Sequence, residues 1–578
     1  MDISNRFSCF IIGEGTLPIQ CAEILLGREH IIYGIISSDI AVHDWARERE
    51  IPHIDPKNKD ITTFLSQHPF DYLFSIVNMS ILPKRVLELP RRCAINFHDA
   101  PLPRYAGRYA TSWAIMQGER VHGVTWHAMT ELVDAGDIFK QALFEIGDGE
   151  TAFTLNTKCY DAAIASFAEL IDDIAYDRVS AGKQNLNERT FFSLDKRPSS
   201  GCILSWNRSA RDIGAFVRAL NFGSYPNPIG LPKLAIETDV IIVSEVEVLN
   251  SISTVPPGTV THLAPDFVRV STMDGDIALR KLLTIDGKPL PISDFVMRFA
   301  LYVGYQFKEL DQELTTRITA YHASICQHEA FWTKQLETLE NITLPYAHQK
   351  TSSIPTTHYS YVPMPVPKGL IILLVNRYAT AHLGDFLLAA FAAYLARIAG
   401  VWNFAIGYRD IELESDLAGL EDIFTADVPL HVSMEYEQSF EEAFHAIQEQ
   451  VKLAKKRKTY ARDIMARYPA LRSKANAQGA YLPSIFVERI ESLHDYKAPR
   501  GSELTLVIRE DGVECLWVYN AEVLNEERVV EMQHGFTTFL QGIVSDPEQR
   551  LSDLPLLTKA EQYRLLVEWN ATQAAYPK

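Results

Sequence analysis

Residues 93–137 read CAINFHDAPLPRYAGRYATSWAIMQGERVHGVTWHAMTELVDAGD, and their reading decides the fold. Cys93-Ala94-Ile95 is an apolar run that predicts a buried strand. It stops at Asn96-Phe97-His98-Asp99, where polar groups crowd the strand's end. Pro101 and Pro103 forbid further ladder pairing and force an irregular loop. Gly107 permits a turn, and Ala110 to Gly118 predicts a short helix. A second strand, Val121 to Met129, carries His122 and His127, and Asp134-Ala135-Gly136-Asp137 follows it. In open α/β sheets chemistry collects where strands end. Such a fold brings a side-chain amide (Asn96), an imidazole (His98) and a carboxylate (Asp134) within reach of one another.

Upstream, strand and helix alternate. Strands are expected at 7–12, 30–37 and 71–77, with helices at 18–26, 41–50, 61–67 and 83–89. This βαβ pattern predicts a doubly wound, mostly parallel sheet of α/β class. Gly13-Glu14-Gly15 lacks a third glycine and has Pro18 close behind, so it reads as a tight turn rather than a dinucleotide fingerprint. Ala152 to Ile174 predicts a long amphipathic helix that closes this first domain, placed at 1–185. Residues 175–200 are polar and read as a linker.

A second unit, 186–305 with that linker, combines a helix at 210–220 with short strands at 240–248, 258–263, 266–272 and 277–284. The region 306–550 changes character: Asp385 to Ala399 is an apolar helix, too short to cross a bilayer, and a strand follows at Phe404 to Gly407. That helix needs a covering surface, expected from the second unit or from a domain beyond this chain. Residues 551–578 form a terminal linker.

The chain's 578 residues are 47% hydrophobic and 22% charged, an ordinary globular balance. A net charge of −18 counts against a general nucleic-acid binder, whose affinity rests on Lys and Arg neutralising phosphates. Seven cysteines lie scattered with no CxxC pair, so no zinc site or disulfide framework is signalled, and buried reduced thiols of a cytoplasmic protein are expected. The amino terminus has no basic segment before its short apolar run, which is not the pattern of a signal peptide, and no membrane span is expected.

The order Asn96-x-His98, a Leu102-Pro103-Arg104-Tyr105-x-Gly107 loop, the Gly123-Val124-Thr125 strand and then Asp134 resembles the folate-dependent formyltransferases. It looks most like those fused to nonribosomal peptide synthetases. Asp99 departs from the pattern, since many relatives have a small residue there. The resemblance implies 10-formyltetrahydrofolate as cosubstrate and no metal. It implies Asn96, His98 and Asp134 as catalytic residues, and a folate pocket at Met79, Ser80, Ile81, Leu82, Thr130, Val133 and Asp134. Arg104, Tyr105 and Gly107 are candidates to hold the acceptor, with Arg108 beside them; they serve equally as caps of the loop. His127 has two readings, a side chain facing the site or a satisfied structural imidazole, and the second is favoured.

Residues 186–305 resemble the small OB-like β-barrel that follows the catalytic domain in methionyl-tRNA formyltransferase. Residues 306–550 resemble the C-terminal lobe of a condensation domain, an α/β acyltransferase-like half. The ending LPLLTKAEQYRLLVEWNATQAAYP resembles a condensation–adenylation linker, so a piece of a longer synthetase is expected. The partners implied are a peptidyl carrier protein and an adenylation domain, with no nucleic acid and no membrane. The 17 histidines include no adjacent pair, so the His-His-x-x-x-Asp-Gly motif of a complete condensation domain is missing, and the tail is expected to act as a spacer. The remaining readings are a formyltransferase acting on a sugar amine or another small amine, and a non-catalytic docking scaffold.

Overall fold

The computed structural model describes residues 5–345, 347, 358–378, 383–478, 482–492, 496, 501–510 and 514–569. The last nine residues of the expected linker and the first four of the amino terminus lie outside that description. The chain divides into two compact units, residues 1–284 with 288–319, and 285–287 with 320–578.

The first unit opens with β1 (Ser8–Gly13), α1 (Thr16–Gly27), β2 (Ile31–Ile36), α2 (Ile40–Glu48), β3 (His53–Ile54), α3 (Ile61–Leu65), β4 (Tyr72–Ile76), α4 (Lys84–Leu87) and β5 (Cys93–His98). It continues through β6 (Ala106–Gly107), α5 (Ala110–Met116), β7 (Val121–Ala128), β8 (Ile138–Glu145), α6 (Ala152–Ala175) and β9 (Phe191–Phe192). Seven strands form one sheet in the order β3-β2-β1-β4-β5-β7-β8. The first five run parallel, and β7 and β8 add antiparallel to that edge. The doubly wound, mostly parallel expectation holds; β3 and β8 were not anticipated.

Strand alternation decides what each face of β5 carries. Ile95 and Phe97 join Val124 and Trp126 under α1 and α6, in a core that includes Leu17, Cys21 and Phe167. Ala94 points the other way, into the core beneath α3 and α4 with Phe10, Leu82 and Val86. Asn96 and His98 share that second face. Phe167 is fully buried, its ring 4.8 Å from Trp126 and 5.3 Å from Phe74.

The same unit then adds α7 (Ala210–Ala219), β10 (Lys233–Ile236), β11 (Asp239–Leu249), β12 (Val260–Ala264), β13 (Phe267–Ser271), β14 (Asp276–Thr284), β15 (Pro289–Leu290) and α8 (Ile292–Arg298). Five strands pair antiparallel as β10-β11-β14-β13-β12, with β15 on β14. The four expected strands are present, and β10 joins them. Among the described residues no pairing joins β10 to β12. Trp206, Phe295 and Phe307 fill its core.

Helix α9 (Gln312–Ile325) leads into the second unit. There follow α10 (Glu329–Glu337), β16 (Tyr359–Pro365), α11 (Lys368–Tyr378), α12 (Leu383–Ala399), β17 (Asn403–Arg409), α13 (Ile411–Asp416), β18 (Val428–Ser433) and α14 (Phe440–Arg457). The unit ends with α15 (Ile464–Arg467), α16 (Pro469–Gln478), β19 (Ile485–Ile490), β20 (Leu504–Arg509), β21 (Glu514–Asn520), α17 (Glu526–Ser545) and α18 (Lys559–Tyr563). Its mixed sheet runs β16-β21-β20-β19-β17-β18.

The apolar helix at 385–399 is α12, and its cover corrects the expectation of an outside domain. Phe386 meets Phe440 at 5.1 Å, and Phe391 meets Trp517 at 5.3 Å and Phe536 at 5.8 Å. Strand β21 and helices α14 and α17 of the same unit therefore bury it. Among the described residues, no helix is long and apolar enough to cross a membrane.

Phe167 fixes α6 to the sheet that carries the polar cluster of β5. Phe167→Ala should lower stability of the first unit by about 3–5 kcal/mol, the cost of emptying a close-packed aromatic site. A denaturant titration resolving that unit's transition would show it; a change under about 1 kcal/mol would mean that the core closes around the gap.

Candidate active site

The site is built on β5 and β7, which pair antiparallel with Asn96 opposite His127 and His98 opposite Thr125. Because these positions share one face, register alone sets amide, imidazoles and hydroxyl side by side. Asn96 Nδ2 lies 3.3 Å from His127 Nε2 and donates to the Phe97 carbonyl at 3.0 Å. His127 Nδ1–H donates to the Ala128 carbonyl at 2.8 Å, which leaves Nε2 as the nitrogen facing the cluster. Of the two readings of His127, the geometry shows the ring facing the site.

His98 Nε2–H donates to the Tyr105 carbonyl at 2.8 Å. That bond fixes the tautomer and turns Nδ1 toward the site. Tyr105 has φ 59°, in the left-handed region that side chains rarely adopt, and its ring is buried. Its N–H donates to Thr190 Oγ1 at 2.7 Å, and its hydroxyl meets Gln117 Oε1 and Glu119 Oε1, each at 2.7 Å. Burial pushes the Tyr105 phenol well up, with Glu119 adding to it. The Tyr105 side chain is therefore a core group, and its part in the site is its carbonyl. Arg104 is paired with Glu119.

Thr125 and Gln141 hold the proline loop in place. Thr125 Oγ1 donates to the Ala100 carbonyl at 2.7 Å and accepts from Leu102 N–H at 3.2 Å. Gln141 Nε2 donates to the Leu102 carbonyl at 3.0 Å and to Thr125 Oγ1 at 2.9 Å.

Asp134 reaches back over β5 from the loop after β7, with φ 53°. Its Oδ2 accepts the Gly107 N–H at 2.8 Å and lies 3.7 Å from His98 Nδ1; Oδ1 lies 3.5 Å from His127 Nε2. Gly107 contributes this N–H rather than a side chain. A Cβ there would sit 2.1 Å from the Phe192 carbonyl oxygen, and φ is 99°, so glycine is required. Burial pushes the Asp134 carboxyl up. His98, His127 and the Gly107 N–H more than offset that and hold it well below the usual carboxylate range.

The polar stretch after α6, read as a linker, is part of the site. Strand β9 pairs parallel with β6. Gln184 Nε2 donates to the carbonyls of Asp134 at 3.1 Å and Gly136 at 2.6 Å, and Arg189 Nη2 donates to the Val133 carbonyl at 2.9 Å. Thr190 accepts from Tyr105 as above. One strap thus fastens both loops that carry the chemistry, the one before α5 and the one after β7.

The expected folate residues form two neighbouring loops. After β4, Met79 and Ile81 are exposed while Leu82 is buried; after β7, Leu132 and Val133 are exposed. Lys84 and Glu131 pair across the two loops at 3.0 Å, and Arg108 Nη2 donates to the Met79 carbonyl at 2.5 Å. Ser80 N–H donates to Asn78 Oδ1 at 3.0 Å, and Thr130 Oγ1 to the Leu132 carbonyl at 2.8 Å, so both hydroxyl-bearing positions shape their own turns. Four exposed apolar side chains, Met79, Ile81, Leu132 and Val133, stand on these two loops. Among the described residues there is no group of three or more His, Cys, Asp or Glu placed to hold a metal ion.

Three stretches of the chain match known protein families. Residues 36–171 match the family described as Formyl transferase, residues 198–300 match Formyl transferase, C-terminal domain, and residues 317–566 match Condensation domain. The chain carries a formyl transferase domain pair followed by a condensation domain. It is 29% identical over 262 residues to a methionyl-tRNA formyltransferase of Clostridium beijerinckii, covering 44% of this chain and 82% of the relative. It is 25% identical over 309 residues to that of Clostridioides difficile, covering 51% and 97%. Similar solved structures include an N-formyltransferase of Helicobacter canadensis in complex with folinic acid and dTDP-3-aminofucose, at TM-score 0.40 and 19% identity, covering 47% of this chain and 98% of that one. Another is HypX of Aquifex aeolicus with tetrahydrofolic acid, at TM-score 0.37 and 17% identity, covering 53% and 50%.

Asn96, His98 and Asp134 are brought together as the sequence predicts. Thr125, His127, Gln141 and the strap complete the centre, and only His127 had a local signal, its place in an alternating strand.

Two outcomes follow for this formyl transferase domain. Gln184→Ala should speed amide exchange across 130–137 and leave β1 and β4 unchanged; unaltered protection of the loop would show that the strap does not hold it. Because the Asp134 carboxyl is depressed on folding, its stabilising effect is present above the unfolded carboxyl's pKa and is lost as pH falls below it. Asp134→Asn should therefore be less stable than the wild type at pH about 5, and the gap should narrow in denaturant titrations below pH about 4. A gap that does not change with acidification would contradict the ionised, paired carboxylate.

Proposed function

We propose that the first unit transfers a formyl group from 10-formyltetrahydrofolate to the amine of an aminoacyl group held on a peptidyl carrier protein, at the start of nonribosomal peptide synthesis in the cytoplasm. The observation that carries the reading is the cluster of half-buried Asn96 and Asp134 about the buried His98, in a chain that continues into a condensation domain.

The chemistry follows from what each group can do. Attack of a neutral amine on the formyl carbon puts negative charge on the formyl oxygen. Asn96 Nδ2 and a protonated His98 Nδ1 are the donors placed to receive that charge, already oriented by β5 and by the Tyr105 carbonyl. Asp134, ionised through the neutral range, faces His98 Nδ1 and completes a path for the proton that leaves the amine. An α-amine titrates near ~8, so an appreciable fraction is neutral at neutral pH and a strong base is unnecessary. The exposed apolar side chains Met79, Ile81, Leu132 and Val133 would face the folate ring.

The condensation domain supports a carrier-bound acceptor over a free sugar amine, since such a domain belongs with carrier-tethered substrates. The charge of −18 supports it over a tRNA. The tail is then a spacer that sets the formyl transferase domain at a defined distance from the carrier's tether and from the adenylation domain.

The test is mass spectrometry of aminoacyl-loaded carrier proteins after incubation with the chain and 10-formyltetrahydrofolate. A gain of one formyl group is expected. His98→Ala and Asp134→Asn should each slow it by at least ~100-fold, the scale for losing one preorganised donor or proton-transfer group. Turnover near wild type in either variant, or formylation confined to free sugar amines, would contradict the reading.

A further inference from the structure

The amide nitrogen of Asn96 carries two hydrogens. One is given to the Phe97 carbonyl at 3.0 Å. That bond also fixes which way the amide is turned, because Oδ1 has no hydrogen to offer a carbonyl oxygen. The other hydrogen faces His127 Nε2 at 3.3 Å. Formyl transfer as read above needs Asn96 Nδ2 to donate to the formyl oxygen. With one hydrogen held by the main chain, the other is the one available, and His127 competes for it.

The charge of the ring decides that competition. His127 is 2% exposed, and its Nδ1–H is committed to the Ala128 carbonyl at 2.8 Å. A neutral imidazole has a single N–H, so neutral His127 keeps a lone pair on Nε2, and the lone pair takes the second hydrogen of Asn96. In the imidazolium both nitrogens carry hydrogen. Nε2 then accepts nothing, and its own N–H faces Asp134 Oδ1 at 3.5 Å.

The geometry points to His127 as a positioning residue that arms Asn96. Charged, it leaves the second amide hydrogen to the formyl oxygen; neutral, it withholds it. The role rests on the formyl-transfer reading and adds to it a control over one of the two donors. It asks for two imidazolium rings about one carboxylate, and Asp134 has a separate oxygen for each: Oδ2 lies 3.7 Å from His98 Nδ1, and Oδ1 faces His127. As pH rises, His127 loses its second proton and takes back the hydrogen of Asn96, while more of the acceptor amine becomes neutral. The rate therefore passes through a maximum.

The experiment uses the full chain with its histidine rings labelled with nitrogen-15, in complex with 5-formyltetrahydrofolate near neutral pH. The signals of His127 are assigned by their loss in His127→Gln or His127→Ala. Both ring nitrogens should carry hydrogen in the wild type, and Asp134→Asn should turn the ring neutral at the same pH. Single turnovers on an aminoacyl-loaded carrier supply a second readout. His127→Gln keeps an uncharged acceptor opposite Asn96 and should slow transfer by ~100-fold, the scale of one oxyanion donor. His127→Ala removes the acceptor and should be faster than His127→Gln, although it deletes more of the side chain. A ring that serves only to pack would give the reverse order. A neutral His127 in the wild-type complex, or His127→Ala slower than His127→Gln with folate binding retained in both, would overturn the role of His127 even if formyl transfer is observed. A charged ring in a chain that transfers no formyl group would uphold the release of Asn96 and count against the reaction instead.

Discussion

The site depends on one hydrogen bond, from His98 Nε2–H to the carbonyl of Tyr105. A neutral imidazole has one donor and one acceptor nitrogen, and this bond decides which is which. It also ties β5 to the loop that supplies the Gly107 N–H, and that N–H in turn fixes Asp134. The left-handed φ of Tyr105, Gly107 and Asp134 shows the backbone bent out of ordinary conformations to make these bonds. Such bending persists where the surroundings over-determine it. Here the surroundings are Thr125, Gln141 and the strap of residues 184–192.

Much of this was legible in the sequence, for physical reasons. Asn96 and His98 stand two apart at the end of an apolar strand, and period-two alternation puts them on one face whatever the tertiary context. The proline loop and Asp134 follow in fixed order. His127 was harder, since its facing depends on the register between β5 and β7, which no local pattern states. The strap was illegible for another reason. Gln184, Arg189 and Thr190 act on backbone carbonyls and N–H groups, and such partners leave no trace in residue type. A polar run that serves as a clamp reads like a polar run that serves as a linker.

The second unit shows the same division between local pattern and long-range pairing. The apolar character of α12 predicted a buried helix correctly. Its cover comes from Phe440, Trp517 and Phe536, the last 145 positions beyond Phe391 that it meets, and no local pattern names such distant partners. The described core of this unit is contributed by its own residues, within the stretch that matches the condensation domain family. The strands of the C-terminal formyl transferase domain were found from turns and alternation. Closure into a barrel rests on pairing between the ends of a sheet, which strand patterns do not decide.

The central claim is that the cluster moves a formyl group to nitrogen rather than releasing it to water. The most direct measurement is a single turnover with the formyl carbon of 10-formyltetrahydrofolate labelled with carbon-13, followed by NMR in the presence of an aminoacyl-loaded carrier. The account predicts that the label leaves the folate and appears as a formamide on the aminoacyl nitrogen. Label that stays on the folate, or appears as free formate, would contradict it.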